Sequence, residues 1–299
     1  MKTLDILICT LNARIVRIPD MLMAPTERVR YVVSFQYTDE KYLSMMPKSL
    51  TEREDVTVVQ LQGEGLSANR NNALKYATSD LVYLVDDDAR FLPDSLATIF
   101  SVFESYSEGV DIALFKAQTY AGRDLREYTS EEGPCTTFAD LLPVLTMEMV
   151  CRRDRVQGFL SFDSRFGLGA EQLTCYEEQI FLDDARRQGL NICYFALPIV
   201  QTSALYVPRM IYVDSKVQRS YGALLYHFYG WRAYVRAFFF ALSGKRKRLC
   251  HFLPVFKRQL EGIAYIKSFK KSKNSSYDAR SRRLYHQRKS CPRTGYIAS

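Results

Sequence analysis

The chain has 299 residues, 47% hydrophobic and 25% charged, which is enough apolar material for a large core and excludes a disordered or low-complexity protein. Its net charge of +8 is unevenly spread: residues 211–299 hold 20 Lys and Arg against 3 Asp and Glu, with 17 of the 39 Phe, Trp and Tyr. The seven cysteines are odd in number and lack CxxC or Cys/His spacing, which argues against a disulfide framework or structural zinc and for a reducing compartment.

The first stretch, "MKTLDILICTLN", carries an aspartate inside its apolar run and no small-residue cleavage site follows, so it reads as a first strand of a cytoplasmic protein rather than as a signal peptide. Further apolar, β-branched runs follow at 29–35, 56–61, 81–85, 111–117 and 190–195, each suited to a parallel strand buried on both faces. Helical stretches lie between them at 66–78, at 93–105 with Asp94 as N-cap, and at 177–189, stopped by Gly189. This alternation predicts an α/β layered fold. A composition boundary near residue 210 divides an α/β domain (1–210) from a basic, aromatic extension (211–299). Within the extension, the apolar stretch 222–243 is interrupted by His227, Arg232 and Arg236, so it reads as an interfacial helix rather than a membrane span, and 267–276 reads as a flexible basic connector.

Three constellations carry chemistry. "LVYLVDDD" ends a strand in Asp86, Asp87 and Asp88, where ligands of parallel sheets bind. If extended geometry persists, Asp86 and Asp88 share a side and one cation while Asp87 points away, and hard oxygen ligands suit Mg²⁺ or Mn²⁺ holding a diphosphate. The helix opening "SANRNNAL" brings Arg70 and Asn71 into its first turns, with Arg70 able to reach anionic oxygens. In "YEEQIFLDDARRQG", Glu178 shares a helical face with Leu182 and Ala185 and points inward as a candidate general base, whereas Glu177 is the less inward of the two. A competing motif, "GEGLSA" (63–68), fits the dinucleotide fingerprint and would make the chain an NAD(P)-binding oxidoreductase, although it follows the third strand rather than the first.

Together, "DILICTLN", "GLSANRNNALKYATSDLVYLVDDDARFLPD" and "FDSRFGLGAEQLTCYEEQIFLDDARRQGLNICYFALPIV" resemble the family 2 glycosyltransferases of the bacterial surface-polysaccharide type. The resemblance implies a GT-A fold, a Rossmann-like, mostly parallel mixed sheet flanked by helices, and inverting transfer of a sugar from a nucleotide-sugar donor, here a UDP-sugar. It implies Asp86 near the donor's ribose and Asp88 on a Mn²⁺ or Mg²⁺ ion. Thr10, Asn12, Arg70, Asn71 and Asp87 become donor contacts, and Glu178, with Glu177 beside it, becomes the general base. The chain departs from the family where an acidic residue usually reads uracil, leaving Gln36, and where a histidine usually follows "LPIV", leaving Gln201 and Thr202. His227 is a possible substitute metal ligand, although a packed side chain is the plainer reading.

The extension's charge and aromatic residues suit an anionic membrane surface, which places the protein at the inner face of the cell membrane with a glycan or polyprenyl-linked acceptor. Nucleic acid is the rival partner, but no zinc-finger, RRM or KH signature accompanies the basic residues, and no nucleic acid is expected. The remaining alternative is a non-catalytic membrane adaptor that only binds nucleotide.

Overall fold

The computed structural model describes residues 1–106, 109–203 and 209–270. Among them one mixed sheet holds strands β1 (Leu4–Leu11), β2 (Val29–Tyr37), β3 (Val56–Gln62), β4 (Leu81–Asp86), β5 (Arg90–Phe91), β6 (Ile112–Thr119), β7 (Gly133–Pro134), β8 (Met149–Arg152) and β9 (Ile192–Thr202). Their order is β3-β2-β1-β4-β8-β6-β9-β5, with β7 also pairing β9. The strands β1 to β4 run parallel, as do β6 and β9, while β8 joins the two groups antiparallel to both neighbours. The fold is therefore the expected α/β layer with a mostly parallel mixed sheet.

The long apolar runs form the central strands because they can be buried on both faces: Ile6 and Ile8 of β1 face one core, Leu7 and Cys9 the other. Asp5, the one charge in that strand, is fully buried and accepts hydrogen bonds from Ser79 N at 2.8 Å and Ser79 Oγ at 2.7 Å. A buried carboxylate is tolerable when its oxygens are met this way, and these bonds also fix the entry to β4.

Helices α1 (Leu66–Lys75), α2 (Ser95–Ser105) and α3 (Glu177–Arg187) flank the sheet. Asp94 occupies the N-cap of α2 as expected, but its side chain makes no capping bond. The extension forms α4 (Ser215–Tyr229), α5 (Ala233–Arg246) and α6 (Phe252–Lys270). The stretch read as a single interfacial helix over 222–243 is broken at Gly230, whose φ of 57° stops α4 before a short 3₁₀ turn leads into α5. The expected connector at 267–276 begins inside α6, and its part beyond Lys270 lies outside the described residues.

These helices do not stand apart from the α/β body. Their core, including Tyr221, Leu224, Ala237 and Ile263, also takes in Phe166, Leu173 and Ile180 from the body. At the crossing of α4 and α6, a Cβ added to Gly222 would lie 2.0 Å from Gln259 O, and one added to Gly262 would lie 1.9 Å from Arg219 O. Backbone meets backbone there.

Candidate active site

The order β3-β2-β1-β4 places the switch of strand order between β1 and β4, where parallel sheets leave a crevice beyond their carboxyl ends. A cavity of about 280 Å³ occupies it, bordered by Thr10 at the end of β1, Gln36 on β2, Asn69 on α1, and Asp86, Asp87 and Asp88. Register puts Leu11 beside Gln36 and Cys9 beside Asp86, so residues far apart in sequence meet at one rim.

The three aspartates do not alternate as an extended strand would. β4 ends at Asp86, and Ala89 N–H donates back to Asp86 C=O at 3.1 Å, turning the chain. Their carboxylates diverge while all three border the cavity. Asp86 Oδ1 accepts from Arg70 at 3.2 Å. Asp87, expected to point away, is buried between the Thr10 hydroxyl, 2.9 Å from its Oδ2, and the Arg14 guanidinium. Burial raises its carboxyl above the ordinary range, against the lowering pull of Arg14 and Thr10. Asp88 Oδ2 accepts from Ser203 Oγ at 2.5 Å.

Arg70 is the hinge of the site. Its side chain, only 3% exposed, reaches Asp86 with Nη2, and Glu177 at 2.9 Å and Glu178 at 3.2 Å with Nη1. The three carboxylates hold its charge firmly in place and outweigh the opposing effect of burial. Glu177 is the more buried glutamate, with a side chain 5% exposed against 12% for Glu178. This corrects the expected ranking. Glu177 opens α3 after Tyr176 in the left-handed region, and the loop at Gly167 closes over it, so neighbouring chain rather than the helix's own apolar face buries it. Burial first, and then the neighbouring Glu178 carboxylate, push the Glu177 carboxyl up to about 8, against Arg70. Among the described residues its Oε2 has no hydrogen-bond partner.

Glu178 Oε1 also accepts from Thr146 Oγ1 at 2.6 Å. Glu178 borders a second cavity of about 410 Å³, between body and extension, with Tyr176, Met210, Tyr212, Tyr221 and Phe240. Through Asp86 and Glu178, Arg70 thus connects the cavity of the aspartates to an aromatic one bordered by the less buried glutamate. A larger cavity of about 510 Å³, lined by Arg126, Tyr128 and Glu148, includes none of the predicted site residues.

Three predicted donor contacts are not brought to the cavity lining: Arg70, whose guanidinium is spent on Asp86 and the two glutamates, Asn71 and Asn12. Asn71 spends its amide on Phe162, donating to its O at 2.8 Å and accepting from its N at 2.8 Å, which clamps the loop before "GLGA". Asn12, with φ of 54°, ties the ends of β1 and β2 together by accepting from Thr38 N at 2.9 Å. His227 lies 3.3 Å from Asp183 and 3.2 Å from Asp184, and is not among the residues lining the aspartate cavity. Burial opposes its protonation, but these two carboxylates prevail and raise its pKa.

Sequence reasoning missed Arg14, Asn69, Thr146 and Ser203. Asn69 stands two residues before Asn71 on the same helix; it donates to Thr10 O at 3.1 Å and leaves a buried Oδ1 at the cavity without a partner among the described residues. The dinucleotide reading of "GEGLSA" meets a physical obstacle: Leu66 N–H, at the helix N-terminus that a pyrophosphate would need, already donates to Leu168 O at 2.8 Å.

The aspartate cavity suits a cation. Asp86 and Asp88 each keep one carboxylate oxygen outside these hydrogen bonds, and hard oxygen donors are what Mg²⁺ or Mn²⁺ takes. Among the described residues no group of three or more His, Cys, Asp or Glu side chains converges to complete such a site.

Residues 35–149 match the family model described as Glycosyl transferase family 2, a span that includes Gln36, Arg70 and the three aspartates and ends before Glu177. No curated protein matches the chain in sequence. Among solved structures, S. aureus TarS 1-349 is 15% identical, with a TM-score of 0.55 over 92% of this chain and 94% of that one. The same fragment in complex with UDP-GlcNAc is 15% identical, with a TM-score of 0.56 over 90% of this chain and 92% of that one. A longer S. aureus TarS structure is 17% identical at a TM-score of 0.54, over 81% of this chain but only 43% of that one. These likenesses show the fold, and it is the expected GT-A architecture with its C-terminal helices.

Proposed function

We propose, from the premise that residues 35–149 are a family 2 glycosyl transferase segment in a GT-A fold, that this chain transfers a sugar from a nucleotide-sugar donor to a hydroxyl acceptor with inversion. The observation that carries the reading is Arg70, one guanidinium bonded both to Asp86 at the first cavity and to Glu178 at the second.

The donor occupies the aspartate cavity. Gln36, buried at its rim, offers an amide donor and acceptor to a uracil edge, and the partnerless Oδ1 of Asn69 offers an acceptor to a ribose or sugar hydroxyl. UDP is the favoured nucleotide because the similar TarS fragment is recorded with UDP-GlcNAc and with UDP. Asp88 and Asp86 would hold a Mn²⁺ or Mg²⁺ ion there, which supplies positive charge against the diphosphate as it leaves.

The acceptor occupies the aromatic cavity. Glu178 takes the proton from its hydroxyl while Arg70 and Thr146 fix the carboxylate's position. Glu177, held neutral through neutral pH, limits the negative charge around Arg70 and is not the base. Attack from the face opposite the leaving diphosphate inverts the anomeric carbon in one displacement. The acceptor is a glycan or polyprenyl-linked sugar in cell-surface polysaccharide synthesis, met at the cytoplasmic face of the membrane. No helix among the described residues is long and apolar enough to cross that membrane.

The test is a screen of UDP-, GDP- and dTDP-sugars with Mn²⁺ for binding and slow hydrolysis. Selective binding and hydrolysis of one UDP-sugar is expected; NAD binding indifferent to Mn²⁺ would overturn the proposal.

A further inference from the structure

Helix α5 is packed with its small residues inward. Ala233, Ala237 and Ala241 are fully buried at four-residue spacing, and Gly244 continues the stripe, seated against Cys250 and Tyr212. The large residues face water: Trp231 just before the helix is 70% exposed, and Val235, Phe238 and Phe239 are 50%, 41% and 60% exposed. Phe238 meets Phe252 and Phe256 of α6 at ring separations of 5.3 and 5.8 Å, so the aromatic surface continues across both helices. Folded chains bury large apolar side chains in preference to alanine, and a contiguous reversal marks a surface meant for contact.

The charge around this surface selects the occupant. Residues 209–270 contain 13 Lys and Arg against 2 Asp and Glu. Both acids are engaged, Asp214 as the cap of α4 and Glu261 between Arg219 and Arg258. Arg232, Arg236 and the run Lys245 to Arg248 are exposed along or beyond α5. A second copy of the chain would bring like charges together, whereas an anionic bilayer neutralises them while its interface accepts the aromatic rings.

We infer that the outward face of α5, with Trp231, Val235, Phe238 and Phe239 inserted and the Lys245 to Arg248 run against headgroups, docks the protein on an anionic phospholipid bilayer. This deepens the proposed function and rests on it for the acceptor. Phe240, adjacent to Phe239, lines the cavity of Glu178 from the inside of the same helix, so that cavity lies about one helix diameter, roughly 10 Å, from the bilayer surface. A lipid-carried hydroxyl reaches Glu178 without leaving its membrane.

Trp231 is the chain's one tryptophan and reports on this face directly. With the full chain, its emission should shift to the blue on phosphatidylglycerol-containing vesicles, be quenched by brominated acyl chains, and stay unshifted on pure phosphatidylcholine. Val235→Ser with Phe239→Ser should lower vesicle partition at least tenfold without changing Mn²⁺-dependent donor hydrolysis. Replacing Lys245, Arg246, Lys247 and Arg248 with Ser should remove the preference for anionic lipid. Unchanged emission on anionic vesicles overturns the inference, as does a blue shift that follows protein concentration without lipid, which assigns the face to a second copy. Donor hydrolysis measured in the same samples separates the two readings: hydrolysis without a vesicle response rejects the docking face alone, and a vesicle response without turnover of any donor rejects the proposed function alone.

Discussion

Arg70 stands 2.9 Å from Glu177, and both side chains are almost wholly withdrawn from water. A single cation there serves the carboxylates of Asp86 and Glu178 as well as the Glu177 carboxyl, so its loss strands buried negative charge and unpaired polar oxygens. Arg70→Met should cost about 3–5 kcal/mol of stability, read from the urea midpoint, because breaking a buried ion pair on one side leaves its partners uncompensated. Arg70→Lys should recover part of the stability but little turnover, since an ammonium cannot span Asp86 and the glutamates as a guanidinium fork does.

The two glutamates should separate by function. Glu178→Gln is expected to lower transfer roughly 10²- to 10⁴-fold, the range for losing a general base, with donor affinity retained in calorimetry. Normal transfer by this variant would move the base elsewhere.

Glu177 carries a pH signature instead. Its carboxyl sits at about 8 against an ordinary 4.5, so the folded state holds this proton more tightly than the unfolded chain. The associated stability is whole below about pH 4.5 and is lost as pH rises through about 8. Between pH 6 and 9 the wild-type urea midpoint should fall, and Glu177→Gln should flatten that fall.

Metal removal tests the aspartates. Chelation should suppress turnover and Mn²⁺ restore it, while Asp88→Ala should turn over slowly and fail to respond to added Mn²⁺. Wild-type rates with full metal dependence in that variant would exclude Asp88 as a ligand.

Gly222→Ala tests the seating of the extension. With Gln259 O 2.0 Å from the new Cβ, α4 and α6 must part, at a cost of about 1–3 kcal/mol or more. Proteolysis should then cut α6 faster than the sheet.

Much of this was legible in the chain. The six apolar runs became strands because continuous burial needs no periodicity to be recognised, and the aspartates sat at a strand end as read. β8 was not seen, since four residues between Glu148 and Arg153 carry no pattern, and its antiparallel pairing depends on β4 and β6. Helical arithmetic placed Glu178 inward but could not foresee the Gly167 loop closing over Glu177. Asn69 and Asn71, two apart on one helix, face different sides, and only the seating of that helix shows that Asn69 meets the cavity while Asn71 meets Phe162. In α5, hydrophobicity alone would have turned the helix around.

The loops at Gly65 and Gly169 approach so closely that a Cβ on Gly169 would lie 2.9 Å from Gly65 N, and both border the aspartate cavity. That part of the wall is peptide, with no side chain to exchange. Under the proposed function, altering the choice of sugar by mutagenesis has fewer handles there and falls to side chains elsewhere in the lining, such as Gln36, Glu64 and Asn69.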